Sequence, residues 1–435
     1  MRKQFSVAVA VAFAAAASQA VAAGPIADGN WLLSTVNATG ESAQAILKVE
    51  TKDGVPTATV LFTPTRAQTR GGNPTANPRK PEVRDFKVSD KTISFTFRLP
   101  GRGGATSALT FVGTETSDPK KILGSYGSET STIRAELTAT DKDKLDPKEY
   151  LVRSPAADAY SKAIQAQIKP ARLQAQARQE RDAEKKAQLL KEATEAMKAA
   201  ETEVPKLYRD VLAHYRNTPA GYDAALALIR SAGKTHATTA EASEWVAVVE
   251  SQAAMYGPRF ATPALTQVAD TLADVKVLSP IAVRVIEPMV NELKNSDSAT
   301  NQVKVLTIYR NALENAGRTP ELKPIDERLA KLEIRLDREY LASVPPFKPE
   351  PYAGRTEKGA NQVVVMELFT GAQCPPCVAA DVAFDALGKS YKHSDVLLLQ
   401  YHLHIPGPDP LTNRDTLARA SYYKVNSTPS TFFNG

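Results

Sequence analysis

The stretch Gln362-Val363-Val364-Val365-Met366-Glu367-Leu368-Phe369 is β-branched and apolar, with the length of a buried parallel strand. It runs through Thr370-Gly371-Ala372-Gln373 straight into Cys374-Pro375-Pro376-Cys377. Beyond the second cysteine, Val378, Val382 and Leu387 recur at helical spacing. The order is therefore strand, Cys-x-x-Cys, helix, which turns a common tetrapeptide into a redox expectation. A cysteine at a helix N-terminus faces unpaired N–H groups and the positive end of the helix dipole, both of which favour thiolate. Cys374 is accordingly the expected nucleophile. Cys377, three residues on, is the expected resolving cysteine. Pro375 suits a first helical position, where its missing N–H costs nothing. Pro375 and Pro376 together remove two donors to a thiolate, so the dithiol is expected to be less oxidising than the most acidic of its class.

Upstream of this stretch the composition changes twice. Residues 343–360 carry Pro345, Pro346, Pro349 and Pro351, which cannot continue a helix and read as a stiff linker. Residues 141–342 are dominated by Ala, Glu, Lys, Gln and Leu and read as an all-α region. Within it, Ala156 to Ala200 forms one or two long amphipathic helices with Leu173, Ala177, Leu189, Leu190, Ala193 and Met197 as a narrow apolar stripe. Leu207–Ala213 and Ala224–Ile229 flank Asn217-Thr218-Pro219 as a helix pair resembling a tetratricopeptide-type hairpin. Five more helical segments follow, giving a scaffold or a surface for a protein partner. Residues 24–140 show eight short alternating runs. Ile93, Phe95 and Phe97 alternating with Ser94, Thr96 and Arg98 is the clearest. Eight strands at hairpin spacing predict an antiparallel barrel or sandwich. Thr65 to Pro81, rich in Gly, Pro, Arg and Asn, reads as a long polar loop.

At the N-terminus, Arg2 and Lys3 precede the apolar run Phe5–Ala17 and the small-residue stretch Ala20-Val21-Ala22-Ala23. A basic start, an apolar run too short to span and an A-x-A pattern predict a signal peptide over residues 1–23 and hence an exported protein, periplasmic or extracellular. Export places the two cysteines of the 435-residue chain where a disulfide persists. Two cysteines cannot form a disulfide framework, and no internal run reaches the ~18 apolar residues of a membrane span. The formal charge of +6 loses two with Arg2 and Lys3. It is spread along the chain without a basic stripe, which argues against nucleic acid.

The C-terminal residues 361–435 resemble the thioredoxin superfamily, and within it secreted bacterial thioredoxin-like proteins with a Cys-Pro-Pro-Cys centre. Val396–Tyr401 looks like the next core strand, and Ser427-Thr428-Pro429-Ser430-Thr431-Phe432-Phe433 matches the element in which a cis-proline precedes a strand and faces the dithiol. The resemblance implies an α/β fold and thiol–disulfide exchange with protein thiols. It implies a cis Thr428–Pro429 bond, and substrate contacts at Pro375, Pro376, Thr428 and Pro429. No cofactor is implied. The family's buried acid, which helps deprotonate the second cysteine, has Glu367 as its nearest candidate, one residue further from Cys374 than in the family. Glu-Leu-Phe-Thr, Asp381, His402-Leu403-His404, Asp409-Pro410 and Arg414 also look like a branch of secreted thioredoxin-fold proteins. The match stops at Gly435 before a second hairpin strand and final helix, so the chain is expected to continue.

Two rival readings share these residues. Cys374, Cys377, His402 and His404 could instead hold zinc or copper, since thiolates and imidazoles suit both. The C-terminal segment could also be a docking module of a non-enzymatic secreted binding protein. An inert structural disulfide is disfavoured, because a four-residue loop gives little loop-closure stabilisation.

Overall fold

The computed structural model describes residues 26–64, 81–89, 91–100, 106–129, 131–343, 349–354, 362–405 and 407–435. The expected signal peptide and nearly all of the 65–81 loop lie outside these residues, as does most of the 343–360 linker.

Alternation along residues 93–98 does what the pattern dictates. Ile93, Phe95 and Phe97 are 0%, 1% and 2% exposed, while Ser94, Thr96 and Arg98 turn outward. Their strand is one of eight: β1 Gly29–Asn37, β2 Gly40–Lys52, β3 Val55–Phe62, β4 Glu82–Val88, β5 Thr92–Pro100, β6 Thr106–Glu115, β7 Lys121–Gly127 and β8 Thr132–Thr140. Each of the eight expected runs falls within one strand. They pair antiparallel in the order β3-β2-β1-β8-β7-β6-β5-β4, and a short β9, Leu151–Val152, adds to β2. β3 and β4 lie near one another without a ladder between them, so the barrel is nearly closed. Its interior is packed with Trp31, Leu33, Leu47 and Phe111 among others, and Phe95 stacks on Phe111 with centroids 5.2 Å apart.

The helical region holds α1 Pro155–Gln179, α2 Ala183–Tyr215, α3 Pro219–Ser231, α4 Thr239–Ala254, α5 Pro258–Ala273, α6 Ser279–Glu292, α7 Ala299–Asn315 and α8 Leu322–Ser343. Ser154, Asp182, Thr218, Thr238 and Ser298 each accept a backbone N–H from the first turn, satisfying donors that the helix cannot. The Ala156–Ala200 segment is two helices, broken at Glu180–Asp182. The second continues through Pro205, so that Leu207–Ala213 is its last part and not a separate helix. Pro205 removes the N–H that would bond the Glu201 carbonyl. Burial of Tyr208, Val211 and Leu212 on the far side holds the helix together. Only part of the expected stripe is buried: Ala177 and Ala193 are inside, Leu190 and Met197 exposed.

By contacts the chain divides into two compact units, Met1–Glu333 and Ile334–Gly435. Two arginines join barrel to helices within the first. Arg259 on α5 donates to the carbonyls of Thr110 (2.8 Å), Gly127 (3.0 Å) and Ser128 (2.8 Å). Arg134 on β8 pairs with Asp223 on α3 at 2.5 Å and lies 4.5 Å from the centre of the Tyr222 ring.

The second unit contains β10 Val364–Thr370, α9 Cys377–Ser390, β11 Val396–His402, α10 Arg414–Tyr423 and β12 Ser430–Phe433. β10 is the middle strand, parallel to β11 and antiparallel to β12. Among the described residues no helix is long and apolar enough to cross a membrane.

Candidate functional site

β10 ends in the buried run Glu367-Leu368-Phe369-Thr370, and the chain then turns sharply at Gly371. A Cβ at Gly371 would strike the carbonyl oxygens of Ile405 and Leu403, so this close approach requires glycine. The next residue, Ala372, donates its N–H to Asp409 Oδ2 at 2.6 Å. Cys374 and Cys377 are joined in a disulfide, with S–S 2.07 Å and Cα atoms 5.2 Å apart. The turn between them is closed by Cys377 N–H to the Cys374 carbonyl (2.9 Å) and Val378 N–H to the Pro375 carbonyl (3.3 Å). These i to i+3 bonds precede the regular ladder. α9 therefore opens at Cys377, with Pro376 as its cap, and Pro375 lies in the turn instead of at the first helical position. Pro375 and Pro376 are exposed. Both cysteines are buried, Cys374 at 5% and Cys377 at 1% exposure.

Thr428–Pro429 is cis, as expected from the resemblance. Pairing of Phe369 with Ser430 sets the start of β12 beside the end of β10, so Thr428 and Pro429 lie at the end of the sheet where the cysteine turn leaves it. Thr428 Oγ1 donates to the Ile405 carbonyl at 2.9 Å, the same carbonyl that crowds Gly371.

Glu367 does not meet its expectation. Thr370 and Gln400 both bond to Asp381 on α9, which marks one face of the sheet. Glu367, an odd number of residues from Thr370, points to the other face. There its carboxylate accepts from Arg419 Nε (2.6 Å) and Nη2 (2.7 Å), Tyr423 Oη (2.5 Å) and Tyr401 Oη (3.1 Å). The Arg419 guanidinium and the two phenols hold it down at about 2, against an ordinary 4.5. A carboxylate so firmly ionised, on the face away from α9, is not the proton acceptor for Cys377.

His402 and His404 converge on Asp409, a residue absent from the expected donor sets. His402 Nδ1 donates to Asp409 Oδ2 at 2.8 Å, and the Asp409 backbone N–H donates to His404 Nδ1 at 3.0 Å. Leu411 N–H completes the set on Asp409 Oδ1 at 2.8 Å. Burial pushes the Asp409 carboxyl up, but the bonds from His402, Leu411 and Ala372 outweigh it and hold the group below its ordinary range. With the sulfurs bonded to each other and both imidazoles turned to Asp409, the Cys374, Cys377, His402 and His404 donor set is not assembled. Among the described residues, no three His, Cys, Asp or Glu side chains are arranged to hold a metal. A His-x-His at a strand end followed closely by Asp-Pro was the signal available for Asp409.

No family model, curated protein or solved structure matches the chain.

Proposed function

We propose that the chain is an exported thiol–disulfide oxidoreductase of thioredoxin type, exchanging the Cys374–Cys377 disulfide with thiols of protein substrates. One observation carries this reading. The disulfide sits between the end of the central strand β10 and the start of α9, with the Thr428–Pro429 loop at the same end of the sheet. Substrate thiolate attacks Cys374 Sγ, and Cys377 leaves. The Cys374 thiolate released in the second step lies just before the N-terminus of α9, whose dipole favours negative charge. Thr428 and the exposed Pro375 and Pro376 flank the sulfurs as contacts for an extended substrate segment.

A second reading has its own observation. A cavity of about 720 Å³ lies among α1, α2 and α3, floored by Tyr160, Ile164, Val204 and Tyr208, with Arg230 and Lys234 also in its lining. It favours a binding protein whose C-terminal unit is a docking module. Insulin reduction by the full chain separates the two. The oxidoreductase reading expects activity that Cys374→Ser abolishes; equal behaviour of the two proteins favours binding.

A further inference from the structure

His402 occupies a defined place relative to the sulfurs. The parallel ladder pairs it with Thr370, the last residue of β10, four positions before Cys374. Gln400, two residues earlier on β11, bonds to Asp381 of α9, so His402 shares the α9 face of the sheet. α9 begins at Cys377. The imidazole thus stands at the sheet end where the cysteine turn departs, on the side of the helix that carries the second sulfur. Asp409 fixes its orientation. An ionised carboxylate only accepts, so Nδ1 carries the proton, and Nε2, with no bonded partner among the described residues, can accept or release one. Through Ala372 N–H the same carboxylate tethers the cysteine turn, holding ring and turn in one frame.

We propose that His402, oriented by Asp409, relays the proton of thiol–disulfide exchange at Cys377. The inference rests on the oxidoreductase reading above. With a protein dithiol as reductant, one substrate thiolate bonds to Cys374 Sγ, and the electron pair of the S–S bond leaves on Cys377 Sγ. The His402 imidazolium gives its Nε2 proton to that sulfur. The neutral ring then takes the proton of the second substrate thiol. The resulting thiolate attacks the substrate sulfur of the mixed disulfide and expels the Cys374 thiolate. Two electrons pass to the cysteine pair, and the imidazolium is restored. Among the described residues, the titratable groups bonded on this face or on the flanking loop are Asp409, His404 and Asp381, while Glu367 and Arg419 belong to the opposite face.

The test is the rate at which dithiothreitol reduces the disulfide in the full chain between pH 5.5 and 9, followed by trapping free thiols. His402→Gln should slow reduction at least about tenfold at pH 6. This is below the ~10²–10⁴ typical of positioned acid–base groups, because a thiolate is a tolerable leaving group. The gap should close towards pH 9, above the ~8.5 of an ordinary thiol. Added imidazole should restore the rate of His402→Gly and do nothing for the wild type. Asp409→Asn keeps an acceptor for Ala372 but withdraws the charge from Nδ1, and should slow reduction in the same pH range without imidazole rescue. A His402→Gln rate equal to wild type at pH 6 overturns the proposal. So does a deficit that is constant with pH and indifferent to imidazole. If insulin reduction is indifferent to Cys374→Ser, the oxidoreductase reading fails, a result distinct from any His402 dependence.

Discussion

Arg419 presents Nε and Nη2 to the two oxygens of Glu367 at 2.6 and 2.7 Å, a bidentate pair whose acidic partner is fully buried. The folded unit therefore binds a proton at Glu367 more weakly than the unfolded chain does. The resulting stabilisation is complete above the ordinary 4.5 and is lost as pH falls towards about 2. Glu367→Gln should lower stability by roughly 2–3 kcal/mol at pH 7, with the difference shrinking steadily from pH 5 to pH 2. Both tryptophans, Trp31 and Trp245, lie in the first unit, so urea unfolding of the second is followed by the resolved NMR signals of its own Tyr401 and Tyr423. A difference that stays constant across that pH range would contradict the assignment.

Arg259 reaches three barrel carbonyls from one helix. Hydrogen bonds from a charged donor are each worth more than neutral ones, and its loss leaves those acceptors short of a partner. Arg259→Met should destabilise the first unit by about 2–4 kcal/mol, measured by denaturant unfolding with tryptophan fluorescence. Arg259→Lys should recover little, because an ammonium cannot reproduce the planar fork.

Gly371→Ala places a methyl against two backbone carbonyls, neither of which can swing aside as a side chain end would. A loss of about 1–3 kcal/mol is expected, of the size seen on overpacking a core. The displaced turn should also change the rate at which the Cys374–Cys377 bond is reduced. Gly388→Ala on α9 meets only an ordinary contact with Leu398 and serves as the control.

Arg134 and Asp223 bridge barrel and helices at 2.5 Å, and the Asp223 carboxylate also accepts the Ala38 N–H at 3.1 Å. A double-mutant cycle of Arg134→Met and Asp223→Asn should return a coupling of about 1–3 kcal/mol. Zero coupling would mean that the Tyr222 and Phe260 rings and the Pro219 carbonyl hold Arg134 without help from Asp223.

What could be read from sequence alone was the local pattern. Ile93, Phe95 and Phe97 declared their strand because period-2 burial is written into consecutive residues, and the strand, Cys-x-x-Cys, helix order was visible for the same reason. Caps such as Asp182, which splits the long helical segment, were also present as single residues. Contacts closed over long separations were not legible. Glu367 meets Arg419 across 52 positions, and nothing near either residue announces the other. The one-residue offset of Glu367 from the acid that the thioredoxin resemblance implies was nevertheless a usable signal, since a shift of one along a strand moves a side chain to the other face. Asp409 belongs to the likeness visible in sequence, but its bonds to His402 and Ala372 depend on a loop folding back on the cysteine turn.

The central position of β10 has a mechanical consequence. A partner tethered covalently to Cys374 and drawn away along the strand axis would load β10 lengthwise, setting the ladders to β11 and β12 in shear together. A strand at the rim, drawn the same way, would set only one ladder in shear. The strand that leads to the sulfurs is thus braced on both flanks against a pull along its length.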